Sequence, residues 1–346
     1  VVAADQDPQS AECGGDRTSV DLEAVDPDSR LDALDRQLVC ALQIDGRAET
    51  GRIAEVLGVS TRTVTRRLAR LLGSGTVTVV LMPDVRDRAV GALLLRVRVL
   101  RGKVETVAHA LAARPDVPFV DIMLGGSEVG AVVLTDAGSR DRLLHGQLPA
   151  TGAVLETGVH AVLHAFADAG QWHSGHLAPE QVAALAPPAP VTAAPATDAL
   201  DRALLDLLGR DARRSHASLA AASGAPESTV RRRLHRLAEG GLLRTHATVD
   251  PRLLGMAVDA NLWLDVPPGR LTEVGAALAG RPQVHGVLAT SGPTNLMATV
   301  FCEDHAALFR FTTDVLGPLG VTRAETAIVA RAVKRAGVRL PGPIRR

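Results

Sequence analysis

The chain has 346 residues, 38 basic and 38 acidic side chains, and 46% hydrophobic but only 2% aromatic content, with no tyrosine. That length holds several domains with substantial cores, and a formal charge of zero gives the chain no overall positive field. The scarcity of rings argues against single-stranded nucleic acid, whose bases stack on aromatic faces.

No apolar run reaches the roughly 18–20 residues that span a bilayer, and the first residues hold no apolar signal core. Cys13, Cys40 and Cys302 have no motif spacing. Cys40 and Cys302 lie in apolar periodic segments and are expected to be buried, reduced thiols, so the chain reads as cytoplasmic.

Residues 1–30 are acidic, polar and irregular, a composition expected to stay disordered. From there Leu31, Leu34, Leu38 and Leu42 place an apolar stripe on a first helix, and Ile53, Ala54 and Leu57 mark a short second one. Gly58 permits a tight turn, and Ser60 is a good N-cap for a third helix. That helix turns Val64, Leu68 and Leu71 inward. It turns Arg62, Thr65, Arg66 and Ala69 outward, with Arg67 and Arg70 on the flanks. It ends near Gly73 or Gly75. Val77–Leu81 reads as a strand, the start of a wing or hinge. Three short helices with a basic, exposed third make a helix-turn-helix, assigned to residues 31–82.

The period then changes. Strands at 90–100, 117–124, 128–135 and 151–160 alternate with helices at 103–113 and 138–147. The order β-α-β-β-α-β predicts a ferredoxin-like unit over residues 83–172. Residues 173–197, with Pro187-Pro188-Ala189-Pro190 and Ala193-Ala194-Pro195, read as a semi-rigid linker with no packed element.

The message then repeats. Thr197-Asp198-Ala199-Leu200-Asp201-Arg202 lies 166 positions after Leu31-Asp32-Ala33-Leu34-Asp35-Arg36, and Thr63/Thr229, Val64/Val230, Leu71/Leu237 and Gly75/Gly241 keep that offset. A second helix-turn-helix is expected over 198–249. Its third helix turns Val230, Leu234 and Leu237 inward and Ser228, Arg231, Arg232 and His235 outward, and a strand follows at 242–249. A second unit is expected over 250–336, with strands at 255–266, 284–290, 295–302 and 321–329, helices at 270–280 and 304–316, and a tail at 337–346. The fold class is α+β: two winged helix-turn-helix domains, each followed by a ferredoxin-like βαββαβ effector domain. Repetition on this scale is duplication of a whole module.

Charge gathers where the third helices fall. Residues 31–75 carry seven arginines against five acids, and residues 198–244 carry nine against six. A local patch of this kind can meet phosphate while the rest of the protein stays neutral. Arg62, Arg66 and Arg231 or Arg232 are candidates for base edges, because a guanidinium matches guanine O6 and N7 bidentately. Arg67, Arg70, Arg233 and Arg236 suit backbone positioning or packing along the domain. Ser60, Thr61, Thr63, Thr65, Ser228 and Thr229 could donate to phosphate at or near the helix start. One such face alone could be an ordinary solvated helix; two with the same placement argue for duplex DNA.

His160, His164, His173 and His176 invite a zinc reading, but no thiol or firm carboxylate partner stands at motif spacing, so they are read as surface or packing histidines and no metal is expected. No nucleophile–base–acid set and no Gly-rich phosphate loop appears, so the chain is not expected to be an enzyme. A sensing or protein-interaction module that has lost operator binding is the alternative class.

The ordered set of motifs resembles the Lrp/AsnC family, the leucine-responsive or feast/famine regulators of bacteria and archaea. The likeness lies in Leu31-Asp32-Ala33-Leu34-Asp35, Leu42-Gln43-Ile44-Asp45-Gly46-Arg47, Ile53 to Ser60, Thr63 to Leu71, and Gly75. The second copy keeps Asp198-Ala199-Leu200-Asp201, Asp211-Ala212-Arg213, Leu219-Ala220, Ser228 to Leu234, Gly240-Gly241, Val249-Asp250-Pro251 and Leu253-Leu254-Gly255. The resemblance implies transcriptional regulation through double-stranded DNA, with effector domains that dimerise, assemble further and often bind an amino acid or related small metabolite; no other cofactor is implied. It points to Gly125, Gly126, Ser127 and Glu128, and to Ser291, Gly292, Thr294 and Asn295, as effector-binding residues, Glu128 facing a ligand ammonium and Asn295 hydrogen-bonding instead. Plain hairpin turns are the other reading of both segments.

Two departures stand out. The family's aspartate after the hairpin glycine is missing from both copies, and Pro226-Glu227 replaces Ser60-Thr61 before the second reading helix. Glu227 suits a helix's first turn but would repel phosphate. Covalent joining predicts that the two effector units pack on one another within the chain, or swap between chains, with further assembly to a chain dimer or tetramer.

Overall fold

The computed structural model describes residues 31–82, 91–134, 137–191 and 194–340. The N-terminal segment with Cys13, and residues 341–346 of the expected tail, lie outside them. The first copy opens with α1 (Ala33–Ile44), α2 (Thr50–Leu57) and α3 (Thr61–Gly73). Asp32 caps α1 by accepting from the Asp35 amide, and Ser60 caps α3 through the Thr63 amide. β1 (Val77–Leu81) follows. Then come β2 (Ala92–Val99), α4 (Val104–Ala112), β3 (Phe119–Met123), β4 (Glu128–Leu134), α5 (Ala137–Asp141) and β5 (Val154–Ala167). A wider helical turn over Arg142–Gln147 extends α5.

The linker carries α6 (Pro179–Leu185). The second copy runs α7 (Ala199–Arg210), α8 (His216–Ser223), α9 (Glu227–Glu239), β6 (Thr245–Val249), β7 (Val258–Asp265), α10 (Leu271–Ala279), β8 (Val284–Thr290), β9 (Leu296–Cys302), α11 (His305–Arg310) and β10 (Arg323–Arg335). The short β11 (Val338–Arg339) turns back onto the end of β10. Among the described residues no helix is long and apolar enough to cross a membrane.

The expected wings are corrected. β1 and β6 pair with each other, antiparallel, Val77 opposite Val249 and Leu81 opposite Thr245. Each copy supplies one strand after its reading helix, and that strand satisfies its backbone groups on its counterpart from the other copy. The ribbon so formed joins the two helix-turn-helix domains. Leu81 packs against the second domain's core, and Ala212 and Ala247 enter the first's.

The α/β units close on one another. β5 and β10 outrun the expected strands because each pairs twice. The first part of β5 pairs with β2 of its own unit, Leu93 opposite Ala161, and the second with β8 of the other, Val162 opposite Thr290. β10 does the same, Ala260 opposite Ile328 on β7 and then Met123 opposite Val329 on β3. Irregular steps at Val162/His164 and Ala165/Ala167, and at Val329/Arg331 and Ala332/Lys334, let both strands bend from one sheet to the next. The order β3-β4-β2-β5-β8-β9-β7-β10 returns to β3, so these strands form a ring without an open edge.

Leu95, Val97 and Val99 of the first unit, and Leu262 and Leu264 of the second, face the cores under α4 and α10. The opposite faces meet inside the ring, where Leu94 and Val132 pack with Trp263, Met297 and Leu288. In these units equivalent rungs stand 167 apart (93 to 260, 161 to 328), one more than in the helix-turn-helix.

The linker is also corrected. Its middle folds as α6 and docks on the first helix-turn-helix, burying Leu185 completely. Gln181 donates to the Val56 carbonyl at 3.1 Å, and Arg52 donates to that of Ala184 at 2.6 Å. Beyond it, the Val191 amide bonds the Glu239 carbonyl at the end of α9. Proline content was a poor guide because Pro179 starts the helix, where its missing N–H costs nothing.

Candidate nucleic-acid interface

On α3, Val64, Leu68 and Leu71 are buried, which fixes the opposite face in solvent. Arg62, Thr65 and Arg66 are exposed on that face, and no hydrogen bond or ion pair engages their side chains among the described residues. Thr61 is exposed at the helix start. The Ser60 and Thr63 hydroxyls are 2.9 Å apart and engage each other while Ser60 caps the helix.

The flanking arginines have another task. Arg67 bonds Asp32 and, at 2.9 Å, Asp35; Arg70 reaches the other oxygen of Asp35. The second copy repeats the clamp, Arg233 on Asp198 and Asp201 and Arg236 on Asp201. Asp35 and Asp201 are buried, at 2% and 0% exposure, so each needs its guanidinium partners. Hydrogen bonding to Arg67 and the Asp35 amide holds Asp32 below the usual carboxylate range. Asp198 is drawn down to about 2 by the Asp201 amide and Arg233. These four arginines therefore orient the reading helix on the first helix. Arg70 remains exposed while it holds Asp35. The repeated Asp-x-x-Asp and Arg-x-x-Arg spacing was the sequence signal for this clamp.

The second face differs. Arg232 is exposed with no partner among the described residues, and Ser228 is exposed while Thr229 is half-buried. Arg231, however, is paired with Glu227 at 3.2 Å, and His235 lies 3.3 Å from Glu239. Pro226, at the cap position, gives α9 no side-chain cap.

Between the readers lies a reciprocal bond. Arg47 donates to the Ala212 carbonyl and, at 3.4 Å, to that of Arg214. Arg213 donates to Gly46 at 2.6 Å and to Ala48 at 3.3 Å. Gly46 must be a glycine here, because an added Cβ would lie 2.5 Å from Val79 Cγ1 and 2.8 Å from Thr245.

The family model for the AsnC-type helix-turn-helix domain matches residues 31–72 and 198–238, and that for the Lrp/AsnC ligand binding domain matches 259–338. An uncharacterized HTH-type transcriptional regulator of Pyrococcus furiosus is 32% identical over 139 residues, which are 40% of this chain and 94% of that protein. The chain belongs to the Lrp/AsnC family. The HTH-type transcriptional regulator LrpA of Pyrococcus abyssi is 29% identical over 40% of this chain and 99% of its own length. Among solved structures, the siroheme decarboxylase NirDL in complex with an iron-uroporphyrin III analogue superposes with a TM-score of 0.57. It covers 89% of this chain and 94% of its own at 16% identity, a likeness of fold.

The eight hairpin residues to which the Lrp/AsnC resemblance pointed serve the turns and the seam between units. Glu128 accepts both arms of Arg96, at 2.8 and 3.2 Å, and Arg96 also holds Glu325. Asn295 is committed to the Val266 backbone, accepting at 3.0 Å and donating at 2.6 Å. The Ser291 hydroxyl accepts from the Ala161 amide at 2.8 Å, and the Thr294 carbonyl accepts from Thr290. At Gly292, φ is 110° and a Cβ would meet His160 Nδ1 at 2.4 Å, so the turn presses directly on the neighbouring unit. Gly125, Gly126 and Ser127 form the corresponding turn of the first unit, and the Ser127 carbonyl accepts from Val99. The side chains of Glu128, Ser291 and Asn295 are thus engaged within the chain, while Ser127 stands exposed at its turn.

A cavity of about 100 Å³ lies elsewhere, inside the ring, and none of those eight residues lines it. Its walls carry Asp121, Asp259, His285 and Arg335. Arg335 donates to both carboxylates. Burial and the neighbouring Asp259 push Asp121 up to about 6 against the pull of Arg335, whereas Arg335 and His285 hold Asp259 low despite its burial. Burial lowers His285, whose ring stacks on Phe301 at 3.9 Å. Sequence reasoning missed this cluster; its signal was a lone acid inside each of two apolar strands, Val120-Asp121-Ile122 and Val258-Asp259-Ala260.

The histidines considered for zinc are dispersed into packing. His160 tilts against Trp263 at 4.8 Å, His164 meets Phe166 edge-on at 4.6 Å, and His173 lies 3.8 Å from Cys40 Sγ. Among the described residues no group of three or more His, Cys, Asp or Glu could hold a metal. Cys40 and Cys302 are buried and free, and burial raises both thiols.

Proposed function

We propose that the chain is a sequence-specific, double-stranded-DNA-binding transcriptional regulator in which a two-fold regulator has been fused into one polypeptide. The observation that carries this reading is the pair of exposed arginine faces, one per copy, on domains joined by the β1–β6 ribbon and the Arg47–Arg213 exchange. Phosphate contacts position such a domain, and a few base-edge contacts from the reading helix specify sequence. Arg62, Arg66 and Arg232 take the base-edge role, with Thr61, Thr65 and Ser228 at phosphate. Fusion raises the effective concentration of the second reader once the first is bound, and frees the half-sites from having to be identical. The Glu227 and Glu239 pairings make the second reader the weaker of the two.

A small-metabolite effector belongs to this reading, supported by the ligand-binding family match. So does assembly into a chain dimer or tetramer, supported by Leu155, Val159 and Leu163, which stand exposed along β5. The decarboxylase likeness, at 16% identity, is one of fold and carries no reading of activity for this chain. Selection of bound duplexes from a random pool, with and without added amino acids, tests the proposal. It predicts enriched sequences containing two half-sites; no enrichment over a chain carrying both Arg66→Glu and Arg232→Glu would refute it.

A further inference from the structure

We propose that the ring interior is a binding site for a small organic cation, a primary ammonium carrying a short aliphatic chain. The charge balance sets the sign. Two carboxylates, Asp121 and Asp259, share the single guanidinium of Arg335. Arg244 is bound to the lining Asp168, with both carboxylate oxygens at 2.8 Å, and Arg96, over Trp263, is bound to Glu128 and Glu325. His285 is held below its ordinary range by burial and stays neutral near pH 7. Counted with Arg244, the described walls therefore carry one uncompensated negative charge, and Arg335, the cation in the lining, is already shared by two carboxylates. Amino-acid zwitterions and organic anions are disfavoured for that reason.

Acceptors for an ammonium are in place. Asp121 engages Arg335 through Oδ1, and its Oδ2 makes no hydrogen bond among the described residues. Asn261, 7% exposed, lines the cavity with its carboxamide likewise unbonded among them. Asp259 Oδ1 and His285 Nε2 face each other across 3.7 Å, so Asp121 Oδ2 and the Asn261 carboxamide are the acceptors left for a ligand. Buried polar groups left open in this way are rare in a finished core. The remaining wall is apolar, with Leu94, Leu288 and Met297 suited to an alkyl chain. Size limits that chain. A cavity of about 150 Å³ takes a six-carbon ring, so one of about 100 Å³ admits about four or five heavy atoms.

The same wall includes Met82, whose amide bonds the Arg244 carbonyl beside the β1–β6 ribbon. Filling the ring thus touches the element that joins the two readers. The proposal deepens the effector reading above and rests on it only for this coupling.

Binding is tested without DNA, so that failure of the DNA reading and failure of this one are told apart. The full chain is titrated near pH 7 with n-butylammonium, n-butanol and butyrate, and heat of binding and melting temperature are read. n-Butylammonium is expected to bind and raise the melting temperature, and the alcohol and the acid are not. Asp121→Asn leaves Arg335 and Asp259 as a balanced pair and should weaken butylammonium at least about tenfold, the scale of a charged hydrogen bond. Asn261→Leu should abolish binding by filling the space. Affinity should also fall as pH drops through about 6, where Asp121 takes up a proton. Equal binding of n-butanol, no response to butylammonium, or affinity unchanged in Asn261→Leu would each overturn the proposal. Should Asp121→Asn fail to fold, the Asn261→Leu and pH arms still decide it.

Discussion

Arg47 and Arg213 occupy the same position in the two copies, and each donates into the other copy's backbone: Arg47 to Ala212, Arg213 to Gly46. Burial lowers both from the ordinary arginine range. Together with the β1–β6 ribbon, this exchange sets the angle between the readers. Replacing either arginine with alanine leaves carbonyls unpaired and should cost about 1.5–3 kcal/mol, the worth of hydrogen bonds to a charged donor. The double variant should also lose affinity for a two-half-site duplex while single-half-site binding stays within about twofold, the range of a small surface change. Urea unfolding and fluorescence titration measure the two effects.

The acid clamps should also matter for folding. Asp201 is fully buried between Arg233 and Arg236, and Asp35 is nearly so beside Arg67 and Arg70. Asp201→Ala or Asp35→Ala removes charged hydrogen bonds to two arginines, of which Arg233 or Arg67 keeps its second aspartate, and should destabilise by about 1.5–3 kcal/mol. Arg70→Ala, at the exposed rim, should cost under about 1 kcal/mol. A smaller loss in Asp201→Ala than in Arg70→Ala would contradict the clamp.

Glu227 is predicted to hold the second reader back. It pairs with Arg231 on an exposed face, so Glu227→Gln should leave stability within about 0.5 kcal/mol. Duplex affinity should rise a few-fold, and the fall of log affinity with log salt should steepen by up to about one unit as one cation is released to phosphate. Unchanged affinity and slope would mean that Arg231 does not face DNA.

How much of this was legible in the sequence varies by element. Periodicity and turn chemistry placed α3 and α9 and the βαββαβ order, because each of those signals is local. The β1–β6 pairing, the crossing of β5 and β10 between units, and the docking of α6 were not legible. A lone strand carries no mark of its partner, and residues such as Val162 and Val329 look alike whichever sheet they join. At the candidate sites, Arg62, Arg66 and Arg232 stand where the helical period put them. Glu128 and Asn295 did not keep their expected freedom, since bonding to Arg96 and Val266 is a tertiary matter.

Acid should weaken the fold through histidine. Burial holds His246 down at about 4, against roughly 6.5 when unfolded. Its contribution is complete above about pH 6.5 and is lost as pH falls toward 4, because the unfolded chain binds the proton first. His173, His176 and His285 are lowered in the same sense. Asp121, raised to about 6, opposes them: its native form binds the proton first, so it adds stability as pH falls from about 6 toward 4. Asp121→Asn should therefore steepen the acid loss and raise stability near pH 7, and His246→Gln should flatten it. Urea midpoints across this range settle both signs.

The central claim is that one chain reads two half-sites with two unequal readers. Footprinting of the full chain on a selected duplex tests it most directly, alongside Arg66→Glu and Arg232→Glu. The account predicts two protected half-sites from a single chain equivalent. Arg66→Glu should cost at least about tenfold in affinity, the worth of one bidentate base contact, and Arg232→Glu less. A single protected half-site, or unchanged protection in Arg232→Glu, would contradict it.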